Sequence, residues 1–215
     1  MKWDNQTPLP WPCSKIVCVG RNYAEHAREL GNAVPDKPLL FIKPPTTLRE
    51  LEDGFSIPAD RGAVHFECEL AVLIGQQLTQ ASTEQAQQAV VGIGLALDLT
   101  LRDVQQQLKS AGQPWERAKS FDGSCPVTPL VPVARFTDLP LRFQLYQNGE
   151  LRQDGDSRAM LMPIPALLAY ISESFTLCPG DLVLTGTPAG VGPLHSGDQL
   201  RLILADQLTA SCQVR

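Results

Sequence analysis

Apolar residues in this chain fall in short runs separated by prolines and glycines, not in long helical stripes. That pattern predicts many short strands joined by turns. Ser14–Val19 (SKIVCV) reads as a buried strand ending at Gly20, and Leu39–Ile42 as another, stopped by Pro44 and Pro45. Val64–Ile74 (VHFECELAVLI) is the longest strand candidate, and Val90–Leu97 is a strand carrying two glycines. Leu141–Gln147 alternates apolar and polar positions and runs into Asn148-Gly149, a hairpin signal. Asp181–Thr185, Gln199–Leu204 and Leu208–Gln213 read as closing strands. Helical spacing is confined to Asn22–Leu30, stopped by Gly31 and Pro35, to Thr83–Ala89, to about Thr100–Lys109, and to Pro163–Ser172, which opens on a proline. The expected architecture is one β-rich α+β domain over residues 1–215, with residues 1–60 forming a small N-terminal subdomain.

Composition narrows the function classes. With 18 Lys+Arg against 23 Asp+Glu, the formal net charge is -5. No basic stripe is available to neutralise phosphates, which argues against a nucleic-acid binder. No apolar run approaches ~18 residues, so no membrane span is expected. The start MKWDNQTPLPWPCSK lacks a basic segment followed by an apolar one, so no signal peptide is expected. The six cysteines are scattered, without a CxxC pair or a Cys-His cluster at zinc spacing, and reduced thiols in a cytoplasm are the expectation.

Candidate chemistry starts at Glu67 and Glu69. Two apart in a strand, they leave the same face, where two carboxylates beside an apolar run repel one another and lose hydration. Either that edge faces solvent or a divalent cation lies between them. Asp98 ends an apolar strand just before a helix, where it could cap the helix or supply a third oxygen ligand. Three carboxylates suit Mg²⁺ or Mn²⁺ and do not suit zinc. His26 and Glu29, at i and i+3, share a helix face; they are a solvated pair or a base oriented by a carboxylate. Thr185–Pro193 (TGTPAGVGP) is a tight connection or a loop offering N–H groups to an anion. Lys119 sits in RAKSFDG, which has little helical or strand period, and taken alone reads as a solvated loop lysine.

Together these segments resemble the fumarylacetoacetate hydrolase family, in particular its short branch of acylpyruvate hydrolases and oxaloacetate decarboxylases. The resemblance rests on Val19–His26 (VGRNYAEH), Phe66–Gly75 (FECELAVLIG), Leu95–Gln105 (LALDLTLRDVQ), Ala118–Val127 (AKSFDGSCPV), Asn148–Gln153 (NGELRQ) and Thr185–Pro193, in the family's order. It implies a mixed β-sandwich roll of the family's C-terminal domain type, with Glu67, Glu69 and Asp98 as Mg²⁺ or Mn²⁺ ligands. It further implies His26 and Glu29 as a water-activating dyad on a lid, with Lys119, Gln105 and Arg21 lining the site and Thr187 contacting the substrate carboxylate. Leu101 stands where relatives often carry alanine, and the large N-terminal domain of the longer hydrolases is expected to be absent.

The implied reaction cleaves the C–C bond of an acylpyruvate, a 2,4-dioxo acid such as fumarylpyruvate or acetylpyruvate, through a pyruvate enolate stabilised by the metal. Oxaloacetate decarboxylation passes through the same enolate. Proton transfer at that site gives the alternative, an isomerase or tautomerase of an unsaturated oxo-diacid of the 2-hydroxyhepta-2,4-diene-1,7-dioate isomerase type. A non-catalytic ligand-binding protein is the distant reading. A homodimer is expected from the family and from apolar runs such as Leu95-Ala96-Leu97 and Leu182-Val183-Leu184, whose neighbours need cover if the sheet does not close within one chain.

Overall fold

The computed structural model describes residues 1–34, 37–136 and 140–215; Pro35, expected to help stop the first helix, lies outside them. The strands, in chain order, are β1 (Ile16–Gly20), β2 (Leu39–Lys43), β3 (Leu48–Glu50), β4 (Val64–Phe66), β5 (Cys68–Ile74), β6 (Val90–Leu97), β7 (Thr100–Leu101) and β8 (Cys125–Val127). They continue with β9 (Val131–Pro132), β10 (Arg142–Gln147), β11 (Glu150–Asp156), β12 (Leu182–Leu184), β13 (Gly192–Pro193), β14 (Gln199–Leu204) and β15 (Leu208–Gln213). The helices are α1 (Ala24–Glu29), α2 (Thr83–Gln88), α3 (Arg102–Ser110), α4 (Glu116–Lys119) and α5 (Ile164–Ser174). The result is a sheet-rich α+β fold, as expected. None of these helices is long and apolar enough to cross a membrane, and all six cysteines are free thiols.

An eight-stranded sheet, in the order β2-β1-β12-β5-β6-β8-β3 with β9 also on β6, forms the frame. Beside it lie a four-stranded sheet, β11-β10-β14-β15, and a small one, β13-β4-β7. Both faces of the large sheet are buried. Leu70, Val72 and Ile74 of β5 enter the main core, whereas Ala71 and Leu73 point into a second, smaller core with Ile16, Cys18, Phe41, Ala96, Leu182 and Leu184. Burial on two sides explains why β5 and β6 read as continuous apolar runs instead of alternating. Leu95–Leu97 and Leu182–Leu184 are thus internal.

Three local readings need correction. Val64–Ile74 is two strands: β4 pairs with β7 and β13 in the small sheet, and β5 belongs to the large one. The break falls at Glu67, where the Cys68 N–H donates to Gln153 Oε1 at 2.9 Å. Thr100 and Leu101 are strand, paired with β4, and α3 starts at Arg102. Lys119, read as a loop residue, closes the one-turn helix α4 and is buried. The Asn148-Gly149 hairpin forms as read, with φ of 54° and 86° at its two turn residues, the left-handed pair that a type I′ turn requires.

Candidate active site

Strand alternation collects the site. Moving two residues beyond the apolar side chains of the smaller core leads from Ala71 to Glu69, from Ala96 to Asp98, from Phe41 to Lys43 and from Leu184 to Gly186. These positions lie on one face of the large sheet, at its polar end. The antiparallel register of β5 and β6, Glu69↔Ala96 and Cys68↔Leu97, places Glu67 opposite Asp98, and the Asp98 N–H donates to the Glu67 carbonyl at 2.8 Å. Glu67 therefore joins the cluster although it falls outside both strands. One oxygen from each of Glu67, Glu69 and Asp98 lies within 4.8 Å of the others.

The three carboxylates are 5%, 2% and 1% exposed, so their charges need partners. Lys119 Nζ donates to Glu67 Oε2 and to Asp98 Oδ2, each at 2.6 Å, while its ammonium lies 5.3 Å from the Phe41 ring centre. Arg102 donates to Glu67 Oε1 at 2.7 Å. Burial pushes the Glu67 carboxyl upward, but Lys119 and Arg102 outweigh it and hold the group well below the usual carboxylate range. Glu69 is the opposite case. Among the described residues no cation pairs with it, and only the Gly186 N–H donates to it, at 2.6 Å. Burial, followed by repulsion from Asp98 and Glu67, drives its carboxyl far upward. Gly186 has φ +93°, and a Cβ there would come within 2.9 Å of Asn22 Cβ, so glycine lets this N–H reach Glu69.

Asp98 does not cap α3, whose N-cap is Leu101. Its Oδ1 lies 2.9 Å from Lys43 Nζ but, among the described residues, lacks an aligned hydrogen-bond donor. A buried oxygen without a donor, beside a carboxylate without a cation, is a donor set that fits a hard divalent cation. Lys43 was not singled out from the sequence. It is fully buried and donates to the Ser124 carbonyl at 3.1 Å, to Ser124 Oγ at 3.0 Å and to the Lys119 carbonyl. The available signal was its spacing: in LLFIK it shares a strand face with Phe41, and a lysine on a buried face calls for an anion.

A cavity of about 90 Å³ opens on these groups, lined also by Arg21, His26, Gln105 and Thr187, so the structure brings the sequence-selected residues to one place, with Glu29 held against His26. His26 is buried with Nδ1 3.3 Å from Glu29 Oε2; Glu29 Oε1 accepts from the Gly190 N–H at 3.0 Å. A carboxylate only accepts, so Nδ1 carries the proton and Nε2 is the basic nitrogen. Gln105 accepts from Arg102 at 2.8 Å through Oε1. The Thr187 hydroxyl donates to the Cys68 carbonyl at 2.8 Å and accepts from Gln153 at 2.7 Å. His65 lies outside this lining, on β4, with its Nδ1 buried and without a hydrogen-bond partner among the described residues.

Known proteins resemble this chain along most of its length. The family model described as the fumarylacetoacetate (FAA) hydrolase C-terminal matches residues 15–215. The oxaloacetate tautomerase of Escherichia coli is 56% identical over 194 residues, 89% of each chain. A fumarylacetoacetate hydrolase family protein from Yersinia pestis superposes with a TM-score of 0.97 at 50% identity, covering 100% of this chain and 99% of that one. A fumarylpyruvate hydrolase from Pseudomonas aeruginosa, solved with Mn²⁺ and pyruvate, superposes with a TM-score of 0.91 at 34% identity, covering 99% and 94%.

Proposed function

The chain belongs to the fumarylacetoacetate hydrolase family, and on that footing we propose that it is a divalent-metal-dependent tautomerase of a small 2-oxo acid, with oxaloacetate as substrate. The observation that carries this reading is the convergence of Glu67, Glu69 and Asp98 within 4.8 Å in a small cavity shared with Lys119 and His26. The likeness to the Escherichia coli tautomerase supports oxaloacetate as the substrate.

Glu67, Glu69 and Asp98 would hold one Mg²⁺ or Mn²⁺, which would supply Lewis acidity that favours the enolate over the keto form. Keto–enol interconversion moves one proton between the enol oxygen and carbon 3. His26 Nε2, with Nδ1–H fixed by Glu29, is the group that takes and returns it. Lys119 keeps positive charge beside the developing enolate, which helps the transition state more than the ground state. Gln105 and Thr187 orient the acid, and Arg21 contacts it from the rim. Helix α1, carrying His26, serves as a lid, hinged where Asn22 is pinned to Met162 and Thr185.

Acylpyruvate hydrolysis is the second reading, favoured by the likeness to the fumarylpyruvate hydrolase. It uses the same enolate, with His26 activating a water. A turnover assay separates the two: enol-to-keto oxaloacetate conversion followed by ultraviolet absorbance, against acetylpyruvate and fumarylpyruvate cleavage, each with Mg²⁺ and after metal stripping. Tautomerisation well above cleavage supports the first reading, and the reverse replaces it with the second. The assembly is a homodimer in this proposal, which light scattering tests as a mass twice 23.5 kDa.

A further inference from the structure

We propose that Arg21 and Lys109, joined through Asn32, form a carboxylate subsite on the rim of the cavity that reads the second carboxylate of an oxo-diacid substrate. The inference rests on the reading of the cavity as a small oxo-acid site and adds which acids it prefers.

Helix α3 presents one face to the cavity. Arg102, Gln105, Gln106 and Lys109 sit at i, i+3, i+4 and i+7, and all four line it. Arg102 and Gln105, at the inner end, serve the carboxylate cluster. Lys109, a full seven residues further out, is half-buried and cannot share that duty. Its Nζ donates to Asn32 Oδ1 at 2.7 Å, and Arg21 donates to the same oxygen at 3.2 Å. Two cations thus converge on one neutral acceptor. Among the described residues neither forms an ion pair with a carboxylate.

Holding like charges together without an anion has a cost, and the structure carries it twice. Burial and the nearby positive charges of Arg21 and Arg102 lower the Lys109 pKa below its usual value. Arg21 is held at φ +63°, a left-handed conformation uncommon for a residue with a β-carbon and typical of strained functional positions. With Arg102 and Lys119, four cationic side chains line the cavity against three carboxylates, and a divalent cation raises the excess further. A monoanionic acid leaves the rim pair uncompensated. A dianionic 2-oxo acid places one carboxylate in the cluster and the other against a planar guanidinium and an ammonium, which suit it.

The test uses a pair of fluorinated probes, 3,3-difluoro-oxaloacetate, which has no carbon-3 proton and cannot enolise, and 3,3-difluoropyruvate, titrated calorimetrically into the Mg²⁺-loaded protein. The wild-type protein binds the diacid at least about 10-fold more tightly. Lys109→Met removes that preference and leaves the monoacid within about twofold, while Lys109→Arg retains it. Asn32→Asp, which sets a competing carboxylate between the two cations, weakens the diacid by about the same factor and reports on the subsite independently of how Lys109→Met folds. Equal losses for both probes, or no loss in either variant, overturn the subsite. If wild-type protein fails to turn over oxaloacetate yet keeps the binding split, the proposed reaction falls and the subsite stands.

Discussion

Two buried carboxylate sites on the same large sheet behave in opposite ways. Asp181, fully buried just before β12, accepts from the Ser14 N–H at 3.1 Å, the Ser14 hydroxyl at 2.6 Å, the Lys15 N–H at 3.1 Å, the Cys178 N–H at 2.8 Å and the Lys15 ammonium. Burial raises its carboxyl, but these donors outweigh burial and hold it below its usual value. Glu69 and Asp98 are as deeply buried, yet Glu69 has no cationic partner among the described residues and Asp98 Oδ1 has no aligned donor. The first carboxylate is saturated by the chain and ties the start of β1 to the start of β12. In the second pair Asp98 is matched by Lys119 and Lys43, whereas Glu69 is left incomplete by the chain, which is what a ligand site requires. Burial alone does not distinguish them; the donor count does.

Glu69→Gln breaks the comparison most sharply. Burial and repulsion from Asp98 and Glu67 already disfavour the charge on Glu69, so the neutral glutamine loses little, and chemical denaturation should show a change within about 1 kcal/mol. Metal affinity should collapse, and turnover should fall by about 10³-fold or more, read by calorimetry and by the tautomerase assay. His26→Ala should cost about 10²-fold or more in turnover while metal affinity stays unchanged; loss of metal along with activity would make His26 part of the metal site instead of a proton carrier. Asp181→Asn should do the reverse of Glu69→Gln. It should destabilise the fold by about 2–4 kcal/mol and lower the melting temperature by roughly 5–15 °C, with turnover per folded molecule preserved. The smallest effect is in its pH dependence. Because folding lowers the Asp181 pKa from its ordinary 3.8, its stabilisation is present in full above that value and fades as pH falls through the folded one. The stability gap between wild type and Asp181→Asn should therefore narrow in acid melts below about pH 4.

Much of the site was legible because its local chemistry is conspicuous. A buried E-x-E pair, an aspartate ending an apolar run and a His/Glu pair at helical spacing each violate the apolar pattern around them. Lys119 was harder to read, because a single-turn helix carries no periodicity. Lys43 and Lys109 escaped notice because their contacts exist only through distant partners: Ser124 lies 81 residues from Lys43, and Asn32 lies 77 from Lys109.

The chain's own pattern determined the β-rich class, the hairpin at Asn148-Gly149 and the identity of the three acids. All of these depend on neighbours within a few residues, where backbone sterics and side-chain alternation act directly. Only the tertiary structure decided that Val64–Ile74 splits at Glu67, that Asp98 stands opposite that break, and that Glu69 is left without a cation while Asp181 is given every donor it can accept. Those outcomes depend on which strands pair and in what register. One residue of slip between β5 and β6 would send Asp98 away from Glu67, and no local preference in either strand specifies that register.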